Sequence, residues 1–143
     1  MEIEGYNMPE DLYYNKDDSW AKVESDGTVR VGMDDFYQKQ AGDTTYVDLP
    51  FEGDSVSQGE TCGKIQSSKW VGKLVSPISG EIVEVNGDLE SDCRLINKDP
   101  YGSGWIMRVK PSKLDEELKN LIYGADALKK FIDDNIKKAK GGG

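Results

Sequence analysis

From about Asp18 to Lys110, apolar and polar residues alternate over short runs broken by Gly, Asp, Asn and Pro, which is the period-two pattern of half-buried strands. Ala21-Lys22-Val23-Glu24 and Thr28-Val29-Arg30-Val31 alternate on either side of Ser25-Asp26-Gly27, a hairpin signal. Further strands are expected at Thr44–Leu49, Gly63–Ser67, Lys73–Val75, Gly80–Asn86 and Trp105–Val109. Met33–Gln40 reads as a short helix with Asp34 near its start, and Phe36 and Tyr37 are placed to pack on the sheet.

Beyond Pro111 the period lengthens. Leu114, Leu118, Leu121 and Ile122, then Leu128, Phe131, Ile132 and Ile136, recur at helical spacing, giving two amphipathic helices divided near Gly124. Ser112 ahead of Asp115-Glu116-Glu117 reads as a capping hydroxyl followed by acids in the first turn, and Lys137-Lys138-Ala139-Lys140 suits a helix C-terminus. The chain therefore divides into an N-terminal segment (1–17), a β domain (18–110), C-terminal helices packed on it (111–140) and a disordered tail (141–143). A length of 143 residues fits one hydrophobic core better than two.

Composition narrows the chemistry. There is no histidine, which removes the usual general base at neutral pH, the commonest metal ligand and the middle member of a Ser-His-Asp triad. Cys62 and Cys93 are too few and too isolated for a zinc site, and no CxxC pair occurs. Eighteen Lys and Arg against 27 Asp and Glu give a formal charge of −9, which repels phosphate backbones and anionic membranes; neither nucleic acid nor membrane is an expected partner. The acidic N-terminus has no signal-peptide core, and a reducing cytoplasm fits best.

The segment from Gly53 to Asn86 is the most informative. Strands at Gly63–Ser67 and Val71–Val75 flank Ser68-Lys69-Trp70, placing Lys69 at or beside the tip of a tight hairpin, where its amine can enter a modifying enzyme's cleft without unfolding the domain. Gly53, Gly59, Ser76, Ser79 and Gly80 are the small residues that close turns between short strands require. Gly53 precedes Lys69 by sixteen residues and Gly80 follows it by eleven, the spacing typical of lipoyl and biotinyl domains.

This segment resembles the lipoyl-lysine hairpin of the glycine cleavage H protein family. Val31–Phe36, Gly42–Pro50 and Asn97–Trp105 resemble the same family, and the likeness runs from about Tyr14 to Lys110. It implies a mainly β, barrel-sandwich hybrid of two small antiparallel sheets with lipoic acid in amide linkage to Lys69. Acylation would move the formal charge from −9 to −10. The protein would act as a substrate of partner enzymes and not as a catalyst: a lipoate-attaching enzyme, dihydrolipoamide dehydrogenase, and the glycine cleavage P and T proteins. Gly53, Gln66 and Gly80 become candidates for recognition during attachment, and Ser68 and Trp70 for contact with the arm or a partner. Trp70 packed on its own sheet is the alternative, and Lys64, Lys73, Cys62 and Cys93 read as ordinary surface or packing residues.

Two departures from the family pattern bear on partners. Asp18-Ser19 stands where His-Glu usually precedes the tryptophan equivalent to Trp20, and Gln66 stands where a ligase usually reads a glutamate. Pro9-Glu10-Asp11-Leu12-Tyr13-Tyr14 and Ser67–Gly72 look closer to the H-like lipoate-binding proteins that serve heterodisulfide reductase-like complexes in sulfur oxidation. On those residues sulfur transfer is placed ahead of the aminomethyl carrier of glycine cleavage, with an unlipoylated adaptor as a third reading.

Overall fold

The computed structural model describes residues 2–141, with side chains as far as Lys138. Chain order runs β1 (Glu2–Ile3), β2 (Tyr6–Asn7), β3 (Tyr13–Tyr14), β4 (Ser19–Val23), β5 (Val29–Met33), α1 (Asp35–Ala41) and β6 (Thr44–Asp48). It continues with β7 (Ser55–Val56), β8 (Thr61–Ser67), β9 (Val71–Val75), β10 (Gly80–Val85), α2 (Asp88–Ser91) and α3 (Leu95–Lys98). The last elements are β11 (Met107–Pro111), α4 (Leu114–Leu118) and α5 (Ala125–Gly141).

Every strand pairing is antiparallel. One sheet has six strands in the order β3-β4-β5-β11-β10-β7, a second has three in the order β6-β8-β9, and β1-β2 form a small ribbon. This is the expected mainly β architecture of two antiparallel sheets with short helices. Sequence pattern located the strands of the Asp18–Lys110 region except β7, whose two residues are too short to show alternation.

The inward positions of the sheets supply one core: Val29, Val31, Ile65, Leu74, Ile82, Met107 and Val109 are buried against one another. A second apolar layer forms on the outside, where Ile3, Met8 and Leu12 from the N-terminus and Leu128, Phe131 and Ile132 from α5 enclose Trp20 and Phe36. The N-terminal residues and α5 thus cover one face of the β4-β5 hairpin. Trp20 is completely buried, its indole N–H donates to the carbonyls of Met33 and Pro100 (both 3.1 Å), and it lies where a Cβ on Gly32 would intrude at 2.6 Å.

The helix ends give one agreement and two differences. Asp34 caps α1, accepting from the Tyr37 N–H at 2.8 Å. Ser112 does not cap α4: its N–H donates to the Ser79 carbonyl, the helix begins at Leu114, and its flanking Lys113 makes no side-chain cap. The pull of β11, which extends to Pro111, wins over local capping. Helix α5 includes Gly141, the first residue of the expected loose tail, while Gly142 and Gly143 lie outside the described residues. Among the described residues, no helix is long and apolar enough to cross a membrane.

Candidate functional site

The β8-β9 hairpin closes at Ser67 and Trp70, with Ser68 and Lys69 as its two central residues. The Ser67 N–H donates to the Trp70 carbonyl at 2.9 Å and its hydroxyl donates to the same oxygen at 3.0 Å. That hydroxyl oxygen also accepts from the Trp70 N–H at 3.2 Å and, more weakly, from the Lys69 N–H at 3.4 Å. Neither central residue has positive φ, so the turn is not of the primed kind that usually suits two-residue hairpins. Side-chain and neighbouring backbone groups hold it instead.

One support comes from the corner between α1 and β6. The Ser68 N–H donates to the Asp43 carbonyl at 2.9 Å. At Gly42, with φ of 79°, a Cβ would lie 2.6 Å from the Ser68 hydroxyl and under 4 Å from the Lys69 stem, so only glycine lets the hairpin tip sit this close. The corner is itself fixed by Asn97 on α3. Its side-chain carbonyl accepts from the Thr44 N–H at 2.9 Å, and its amide donates to the Gly42 carbonyl at 2.8 Å and to Gln38 Oε1 at 3.1 Å. A second support lies beneath β9. Tyr37 is buried under the hairpin, and a Cβ on Gly72 would fall 2.0 Å from its hydroxyl. Burial pushes the Tyr37 phenol up, the neighbouring Trp70 offsets part of that rise, and the hydroxyl meets no partner in hydrogen-bond geometry.

Lys69 is exposed at this braced tip, and its amine takes part in no hydrogen bond or ion pair among the described residues. An amine on a fixed backbone, reached by a flexible stem, is the geometry an acylating enzyme needs and a lipoyl amide fits. Trp70 is 43% exposed, between the two readings of a packed and a presented ring. Gln66 faces solvent on β8, in register with Tyr46 on β6 and Val71 on β9.

Gly53 and Gly80 are brought together, but away from the lysine. The Gly53 N–H donates to the Ile82 carbonyl at 2.7 Å, and Gly80 pairs with Val56 and Pro111 so tightly that a Cβ would meet the Lys110 carbonyl at 2.1 Å. Both serve the β7-β10 side of the larger sheet. Cys62 is partly buried, with its thiol directed at the Leu74 carbonyl and burial pushing its pKa to about 11; Cys93 donates to the Thr44 carbonyl at 3.3 Å. These contacts make both thiols packing residues. Among the described residues, no group of three or more His, Cys, Asp or Glu side chains is placed to hold a metal.

The position of the departing Asp18-Ser19 pair was not legible in sequence. Asp18, with φ of 72°, accepts the Asp34 N–H on its carbonyl and an Asn135 amide from α5 on its side chain at 3.4 Å. Burial raises the Asp18 carboxyl to about 7, with the neighbouring Asp34 partly offsetting the rise, and burial together with the Asp18 charge holds Asp34 well above the usual carboxylate range. Both acids therefore hold their protons more tightly than exposed carboxylates do.

Against this geometry, the comparisons converge. The sequence profile described as glycine cleavage H-protein matches residues 12–135. A probable glycine cleavage system H protein of Thermococcus gammatolerans is 47% identical over 133 residues, covering 93% of this chain and 98% of the relative. The glycine cleavage system H protein of Mycolicibacterium smegmatis is 43% identical over 117 residues, covering 80% of this chain and 89% of its own. The crystal structure of a glycine cleavage system H protein from Mycobacterium marinum superposes with a TM-score of 0.69 at 41% identity, covering 73% of this chain and 87% of that one.

Proposed function

The chain belongs to the glycine cleavage H-protein family, and from that membership we propose that it is a non-catalytic carrier, lipoylated at Lys69, that serves glycine cleavage. The observation that carries this reading is the exposed Lys69 amine at a two-residue turn whose backbone is pinned from Ser67 and Asp43. Lys69 would hold a lipoyl group whose disulfide would supply both the carrier sulfur and the electron acceptor for the aminomethyl carbon left by glycine decarboxylation, one S–S bond being exchanged for one C–S bond and one thiol; after passage of the aminomethyl group to a folate-dependent transferase the remaining dithiol would need reoxidation by dihydrolipoamide dehydrogenase.

The work of the chain itself is positional. Ser67 and the Gly42-Asp43 corner fix the backbone at the attachment point, so an arm at Lys69 sweeps from a constant origin. Tyr37 packs directly against the bare Cα of Gly72, which lets β9 lie close to α1 beneath the lysine turn. With no histidine in the chain, proton transfer and bond making fall to the partner enzymes: the glycine cleavage P and T proteins, dihydrolipoamide dehydrogenase, and a lipoate-attaching enzyme. A cytoplasmic location suits these partners.

The names of the relatives favour glycine cleavage over the sulfur-transfer reading that the N-terminal run and Ser67–Gly72 first put ahead, and no relative named above is a sulfur-oxidation protein. The order of the two readings is therefore reversed, and no heterodisulfide reductase-like partner is retained. Lipoylated protein incubated with glycine decarboxylase, glycine and labelled bicarbonate should support exchange of label into glycine. Failure alongside a working control H protein would refute the aminomethyl-carrier reading.

A further inference from the structure

We propose that the outer face of the three-stranded sheet is the surface by which the lipoate-attaching enzyme recognises this chain, and that this enzyme rims its lysine-accepting cleft with carboxylates. The inference rests on the reading of Lys69 as the attachment point and names what recognises it.

The outward positions of this sheet form two rows across the strands. One is Tyr46–Gln66–Val71 and the other Asp48–Lys64–Lys73, each set by the β6-β8-β9 register. Tyr46 and Val71 are 56% and 60% exposed, and Trp70 and Lys69 extend this face at the hairpin tip. A chain carrying 27 acids has none between Thr61 and Gly80, a run that holds Lys64, Lys69 and Lys73. Two acids adjoin them: Asp48 at the end of the edge strand β6 stands opposite Lys64, and Asp43, just before β6, accepts the Ser68 N–H on its carbonyl. None of the ion pairs among the described residues includes any of the three lysines.

Lys64 and Lys73 stand directly opposite each other. Asp48, opposite Lys64 on its other side, offsets one of these charges, so the row keeps a single uncompensated positive charge for an anionic partner to meet. Gln66, central in the neighbouring row, offers a neutral amide, so that row adds no negative charge to this face. The net charge of −9 works in the same direction: an acidic partner is repelled by the molecule as a whole, so a face whose central run carries three lysines and no acid favours an encounter with Lys69 inward. Acylation removes the Lys69 charge, so the product holds the acidic rim less tightly than the substrate and is released.

The test is the initial rate of lipoylation of the full chain by a lipoate-attaching enzyme, with lipoate and ATP, over a range of ionic strength. We compare wild type with K64Q/K73Q, K64E/K73E and a control, K129E/K130E, at exposed α5 positions beside the N-terminal ribbon. The wild-type rate should fall with added salt. The Gln pair should flatten that dependence, the Glu pair should lower kcat/KM by about ten-fold or more at low salt, and the control should match wild type. Unfolding midpoints of the Gln pair no lower than wild type separate lost recognition from lost fold. Wild-type lipoylation with both pairs unchanged in rate and salt dependence would overturn this inference and leave the carrier reading standing. No acylation of wild type at Lys69 by any attaching enzyme would overturn both.

Discussion

The Tyr37 hydroxyl and the bare Cα of Gly72 occupy one small space under the lysine hairpin, and neither tolerates enlargement of the other. Gly72→Ala should therefore destabilise the protein by about 1–3 kcal/mol, through overpacking against a buried ring. Tyr37→Phe, which deletes a hydroxyl lacking a partner, should cost little alone and should recover part of the loss in the double variant. Denaturant titration of the four proteins measures the coupling, and strictly additive effects would contradict the contact. The turn position of Lys69 was legible because strand-like runs on both sides leave it between them, and Asp34 was legible as a residue near a helix start because such start signals are local. Tyr37 against Gly72 was not: the partners lie on α1 and β9, and nothing in either segment names the other.

At the scale of elements, the hairpin tip depends on a corner that Asn97 fastens from α3. Asn97→Ala leaves the Thr44 N–H without its partner and frees the Gly42 carbonyl. Faster amide exchange at Thr44 and Ser68 is expected, with a stability loss of about 1–3 kcal/mol; unchanged exchange at Ser68 would separate the corner from the turn. The contact between α5 and the β4–β5 layer carries a pH dependence. Asp18, raised to about 7, and Asp34, also raised, both bind protons more tightly in the folded protein than in the unfolded chain. Their stabilising contribution is complete below the ordinary carboxylate range and is lost as pH rises through about 7. Unfolding midpoints should thus fall between pH 5 and pH 8, and Asp18→Asn, tolerated at positive φ, should flatten the fall. A wild-type protein more stable at pH 8 would contradict this pairing. The facing groups include Asp17, which adds to the effect, and Lys138, which opposes it.

Across the whole molecule, period-two alternation identified a mainly β fold, and the helical period identified the C-terminal elements. The order of strands was beyond reach of pattern, since β11 enters between β5 and β10 only after the chain has built the other sheet. The role of Glu117 was hidden for the same reason. It reads as a first-turn acid of α4, yet it is buried and accepts from the Ser79 N–H at 2.7 Å and the Ser79 hydroxyl at 2.5 Å, tying the C-terminal region to the β9–β10 turn. Gly53 was legible as a turn residue, and it bonds back to β10, whereas Gly80, also expected at a turn, opens β10 and pairs with β7 and β11 in the larger sheet.

The central claim concerns one amine. Intact-mass and peptide mapping of the full chain after coexpression with lipoate-attaching enzymes, alongside Lys69→Arg, tests it most directly. The expected result is a single mass gain equal to one lipoyl amide, mapped to Lys69 and absent from the variant; a gain mapped to Lys64 or Lys73, or none at all, would contradict it.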